Sequence, residues 1–164
     1  MAKKVLTTIK LQAPGGQASP APPVGPALGQ HGINIMEFVK AFNAQTQGDM
    51  GTTIPVVITV YEDRSFTFVT KTPPAAVLIR QAIGIEKGSG EPNISYAADL
   101  SFDQLVDIAN KKREGIYAAS LKKAVREVLG TCQSAGVTVD GRHAKEVQEA
   151  IQAGEYDDQL AQTE

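Results

Sequence analysis

Apolar and polar positions alternate at the start of the chain. Val5, Thr7, Ile9 and Leu11 share one side and Leu6, Thr8 and Lys10 the other, the period of a half-buried strand. The run from Ala13 through Pro26 breaks that pattern with prolines, glycines and alanines. Proline removes backbone donors and fixes φ, so neither a regular helix nor a central strand is expected there. A short helix over Ala27–His31, stopped by Gly32, follows. Asn34 then reads as the N-cap of a helix over Ile35–Gln45 that buries Ile35, Phe38, Val39 and Phe42. Two β-branched and aromatic runs, Ile54–Tyr61 and Ser65–Thr70, flank the polar turn Glu62-Asp63-Arg64 and predict a pair of strands. The first half is thus a small β-α-α-β-β domain over residues 1–72.

Thr72-Pro73-Pro74 marks the boundary, because consecutive prolines stiffen the connection and Pro74 suits the first turn of a helix. Beyond it the period becomes helical, over Ala75–Ile83, Ser101–Lys112 and Leu121–Ala135. Ser101-Phe102-Asp103-Gln104 forms a capping box, and Gly136 stops the last helix before an extended Val137-Thr138-Val139. The class is therefore α+β, with a compact three-helix domain over residues 73–139 joined to the first by a Pro-Pro hinge. Gly84–Ala98, between its first two helices, is too long for a plain connector. Residues 140–164 read as an acidic tail holding one helix, Ala144–Ala153, with a disordered end.

Composition adds limits. No apolar stretch approaches the ~20 residues of a membrane span, and the apolar part of the N-terminus is too short for a signal peptide. A lone cysteine, Cys132, leaves no internal disulfide and fits a reducing, cytosolic compartment. Net charge is −2, but the last 25 residues hold seven acidic and two basic side chains, leaving a mild +3 for the rest. Charge alone neither requires nor forbids a nucleic-acid partner.

Catalytic chemistry finds no constellation. His31 and His143 stand in different segments without metal-ligand spacing, Cys132 lies on an apolar helix face, and Asp157-Asp158 is a solvated run. No metal site and no cofactor are expected. Gly84-Ile85-Glu86-Lys87-Gly88-Ser89-Gly90 fails the spacing of a P-loop and follows a helix rather than a strand. It suits binding better, with a mobile surface loop the even alternative: glycines admit phosphates to backbone N–H groups, and Lys87, Ser89 and Asn93 add charge and hydrogen bonds.

On the last helix, Lys123, Glu127, Gly130, Thr131 and Ser134 fall on a face beside the apolar stripe. Gly130 costs the helix ~1 kcal/mol relative to alanine. Either another molecule approaches the backbone there, or the helix packs tightly or ends early. Lys111-Lys112-Arg113 and Lys122-Lys123 are solvated faces that could equally touch phosphates.

Several runs, taken in order, carry a family resemblance. Pro20 through Gly29, Gly32 through Phe38, Phe42-Asn43-Ala44-Gln45-Thr46, Ser65-Phe66-Thr67-Phe68 and Lys71-Thr72-Pro73-Pro74 resemble bacterial-type large-subunit ribosomal protein L eleven. Lys87-Gly88-Ser89, Pro92-Asn93, Gly130-Thr131, Ser134 and Gly136-Val137 extend the likeness through the second half.

The resemblance implies a structural constituent of the large ribosomal subunit that binds its rRNA at the GTPase-associated centre, at the stalk base. It implies contact with stalk ribosomal proteins and transiently with translation-factor GTPases, in cytoplasmic or organellar ribosomes, with no membrane role. Carried over by position, the RNA-binding residues are Arg80, Lys87, Gly88, Ser89, Asn93, Lys112, Lys123, Gly130, Thr131, Ser134 and Gly136. Pro22, Pro23 and Pro26 line a cleft for factors and thiopeptide antibiotics, and Thr72, Pro73 and Pro74 form the hinge.

Three features depart from the family pattern: Cys132-Gln133-Ser134-Ala135-Gly136 where Ala-Arg-Ser-Met-Gly is usual, the stretch Arg113-Glu114-Gly115-Ile116-Tyr117, and the acidic extension. The alternative reading is a protein-binding adaptor that uses the proline segment, with RNA contact secondary.

Overall fold

The structure is a computed structural model and describes residues 3–161. It divides into two units, with the division falling between Pro74 and Ala75.

In the first unit, strand β1 (Val5–Pro14) pairs antiparallel with β2 (Thr53–Tyr61), which pairs antiparallel with β3 (Phe66–Thr70) in the order β1-β2-β3. Alternate residues of the central strand, Ile54, Val56, Ile58 and Val60, face the core. Helix α1 (Val24–Gly29) and helix α2 (Ile35–Gln45) contribute Val24, Leu28, Phe38, Val39 and Phe42 to the same core. The Asn34 side chain accepts from the Glu37 N–H and so caps α2. Phe38 is the centre of an aromatic group, 5.6 Å from Phe42, 6.1 Å from Phe66 and 5.4 Å from Phe68 between ring centroids. Burying each such ring stabilises the unit by roughly 1.5–3 kcal/mol.

Three expectations change here. β1 runs on to Pro14, at the sheet edge where a missing donor costs no ladder bond. Helix α1 begins at Val24 instead of Ala27, because Pro26 sits in its first turn, where backbone N–H groups have no intrahelical acceptor. Ile35 is only partly buried.

Among the described residues the second unit holds the three expected helices, α3 (Ala75–Ile83), α4 (Phe102–Arg113) and α5 (Leu121–Ala135), then the expected α6 (Ala144–Ala153) and an additional α7 (Asp157–Ala161). Ser101 and Gln104 complete the capping box of α4 reciprocally, at 3.3 and 3.2 Å. Gly136, in the left-handed conformation at φ 69°, caps α5. A short parallel pair, β4 (Ala98–Leu100) with β5 (Val137–Val139), was not foreseen.

Residues 140–161 are not a loose tail. Ala144, Val147, Ile151 and Leu160 are buried in the same core as Leu105, Val125 and Leu129. Tyr156 stacks on Phe102 at 4.3 Å, and its hydroxyl meets Arg142 at 3.4 Å. The acidic side chains occupy the outer faces of helices whose inner stripe is apolar. The expected disordered end is therefore helical through Ala161, and residues 162–164 lie outside the described residues.

Candidate nucleic-acid interface

Helix α5 is the longest helix of the second unit and is bound to its core by Leu121, Ala124, Val125, Val128, Leu129 and Cys132. Most of the way round to the opposite side of the helix lies a second face. On it Lys123, Glu127, Gly130 and Ser134 are exposed and Thr131 is half-buried. From Lys123 to Ser134 this face spans about 16 Å at the helical rise. The Ser134 hydroxyl donates to the Thr131 carbonyl at 2.9 Å, so its proton is engaged within the helix.

Gly130 decides between its two sequence readings. A Cβ built there meets nothing within 4 Å among the described residues, so no neighbouring helix fills the space. The helix also continues to Ala135, so Gly130 is no cap. Its bare backbone is offered to solvent.

The 84–97 loop lies against the C-terminal end of this helix. The Ser89 N–H donates to the Ala135 carbonyl at 2.8 Å and the Ala97 N–H to the Gly136 carbonyl at 2.8 Å. Gly88 passes so close that a Cβ would stand 2.7 Å from the Ala135 carbonyl oxygen. A Cβ on Gly136 would meet that of Ser89 at 2.5 Å. Lys87 and Asn93 are exposed on this braced loop.

Other predicted residues have different places. Arg80 is turned to its own chain, donating from Nε to the Ala76 carbonyl at 3.2 Å and from Nη1 to the Glu86 carbonyl at 3.0 Å, so it braces the loop's start. Gly136 is buried and acts as cap and close-approach point. Lys112 is half-buried at the end of α4, where desolvation holds its ammonium below the usual lysine value. The structure thus brings Lys87, Gly88, Ser89, Gly130, Thr131 and Ser134 to the α5 and loop surface.

In the first unit Pro22, Pro23 and Pro26 are all exposed around the start of α1, and the Pro22-Pro23 bond is cis. Sequence reasoning missed what holds this segment. The Asn43 side chain accepts from the Ala18 N–H at 2.8 Å and donates to the Ala18 carbonyl at 3.0 Å. Buried Thr46 accepts from the Gly16 N–H at 2.9 Å and donates to the Phe42 carbonyl at 2.7 Å. A polar residue recurring on the inner side of an otherwise apolar helix was the available signal. Thr72, Pro73 and Pro74 carry no regular secondary structure.

A helix that offers backbone and small hydroxyls, beside a braced glycine loop, suits a partner made of sugars and phosphates. The class these faces define is that of structural RNA-binding proteins.

Two family models match the chain: "Ribosomal protein L11, N-terminal domain" over residues 9–66 and "Ribosomal protein L11, RNA binding domain" over residues 71–139. The chain belongs to the ribosomal protein L11 family, and is thus a non-enzymatic, rRNA-binding structural protein of the large ribosomal subunit. Helices α6 and α7 lie beyond both matched segments.

Proposed function

We propose that this chain binds a compactly folded junction of large-subunit rRNA in the GTPase-associated centre, at the stalk base of cytoplasmic ribosomes. There it supports translation-factor GTPases beside the stalk ribosomal proteins. The second unit anchors through the α5 face and the 84–97 loop. The hinge at Thr72, Pro73 and Pro74 lets the first unit respond to factors, with Pro22, Pro23 and Pro26 forming the factor- and antibiotic-facing cleft.

The observation that carries this reading is Gly130, an exposed mid-helix glycine whose helix-propensity cost nothing within the described chain offsets. A wide, shallow RNA minor groove is read by shape and by 2′-hydroxyls, which requires backbone and small hydroxyls more than charge.

The test is a titration of the full chain against the junction RNA over a salt series, with an RNA of equal length and broken tertiary fold as control. Tight binding to the folded RNA alone, with a shallow salt slope, is expected. Equal and steeply salt-dependent binding to both would refute shape recognition and favour the adaptor reading.

A further inference from the structure

The chain has nine aromatic side chains, five Phe and four Tyr. Four phenylalanines pack around one another in the first unit, Phe102 stacks on Tyr156, and Tyr96 lies edge-on to His143. The Tyr61 hydroxyl meets Thr67, with Lys3 over its ring. Tyr117 alone has no ring or hydrogen-bond partner among the described residues, and its relative exposure is 106%.

Its loop is nevertheless pinned. The Gly115 N–H donates to the Lys112 carbonyl at 2.8 Å, Ile116 and Ala118 on either side pack against the core, and the Ser120 hydroxyl caps α5. Two inward neighbours hold Tyr117 outward, so its ring is presented with little ordering cost left to meet on binding. The 13 residues 111–123 also carry five cations against one carboxylate, Glu114, in a chain whose net charge is −2. Lys122 is engaged by Asp157 at 2.7 Å, while Lys111 and Lys123 are exposed, and Lys123 begins the Gly130 face.

From this arrangement we infer that Tyr117 is a stacking platform for an unpaired nucleobase, with Lys111 and Lys123 meeting the phosphates on either side. The inference rests on the RNA-binding reading above and extends that interface past the N-terminal end of α5. Tyrosine rings accept any base face, and an outward ring on a segment rich in cations is an arrangement that single-stranded nucleotides use.

The experiment compares the full wild-type chain with Tyr117→Ala, Tyr117→Phe and Lys111→Ala on the folded junction RNA. Since the ring touches no core residue, melting temperatures should not change. Tyr117→Ala should bind roughly tenfold more weakly, with its salt slope unchanged, and Tyr117→Phe should bind as wild type. Lys111→Ala should lower the salt slope by about 1. Binding of Tyr117→Ala equal to wild type, or a loss in Tyr117→Phe as large as in Tyr117→Ala, would overturn the stacking platform and leave RNA binding standing. If the wild-type chain itself failed to bind the folded RNA, both readings would fall.

Discussion

Replacing Gly130 with alanine should make the protein more stable and a worse RNA binder. The new methyl group meets no atom within 4 Å, so it introduces no clash in the free protein. Position 130 lies in the interior of a helix running from Leu121 to Ala135, where glycine is less favourable than alanine by about 1 kcal/mol. For a unit the size of residues 75–164, that gain corresponds to a rise in melting temperature of about 4 °C or more. On the proposed mode of binding, the same methyl group would take space that a ribose fills. A displacement there that weakens affinity tenfold corresponds to about 1.4 kcal/mol. Circular-dichroism melting and RNA titration of the same preparation measure both effects. Higher stability with unchanged affinity would refute the close approach, and unchanged stability would refute the helix-propensity account of Gly130.

Two further outcomes follow from the core of the second unit. Ending the chain after Asp140 removes Val147, Ile151 and Leu160 from the core, and should cost that unit on the order of 5 kcal/mol, read as a lower urea midpoint; an unchanged midpoint would return α6 and α7 to the status of an appendage. Burial pushes the Cys132 thiol from 9.0 up to about 12. The folded-state value is the higher one, so its contribution is complete below pH 9 and is lost as pH rises toward 12, when the unfolded thiol ionises first. The urea midpoint of the wild type should fall over that window relative to Cys132→Ala, and parallel curves would contradict the shift.

Local signals in the chain carried most of the elements. Asn34, the Ser101–Gln104 box and Gly136 each mark a helix end by hydrogen bonds within a few residues, and the structure uses all three. What depends on distant partners was not legible. Three residues, Ala98–Leu100, are too few to show alternation, and they form a strand only because Val137–Val139 runs alongside. The tail's acidity masked its inner stripe, Ala144, Val147 and Ile151, which was visible at helical spacing but had no assigned neighbour. Of the candidate interface, the α5 face followed from the 3.6-residue period. The inward turn of Arg80 and the burial of Gly136 depend on where the loop lands, which spacing alone does not give.

Both feet of that loop rest on the same end of α5, Ser89 on Ala135 and Ala97 on Gly136. Of the seven residues between them, those other than Pro92, against Gly136, and Tyr96, against His143, can change in identity without shifting α5, since the closure is made by backbone groups at the base. Extra loop length carries only a slowly rising entropy cost, about 0.6 kcal/mol per doubling. The site is in effect a graft point: its specificity can be rewritten by exchanging the tip while the helix that carries it keeps its register.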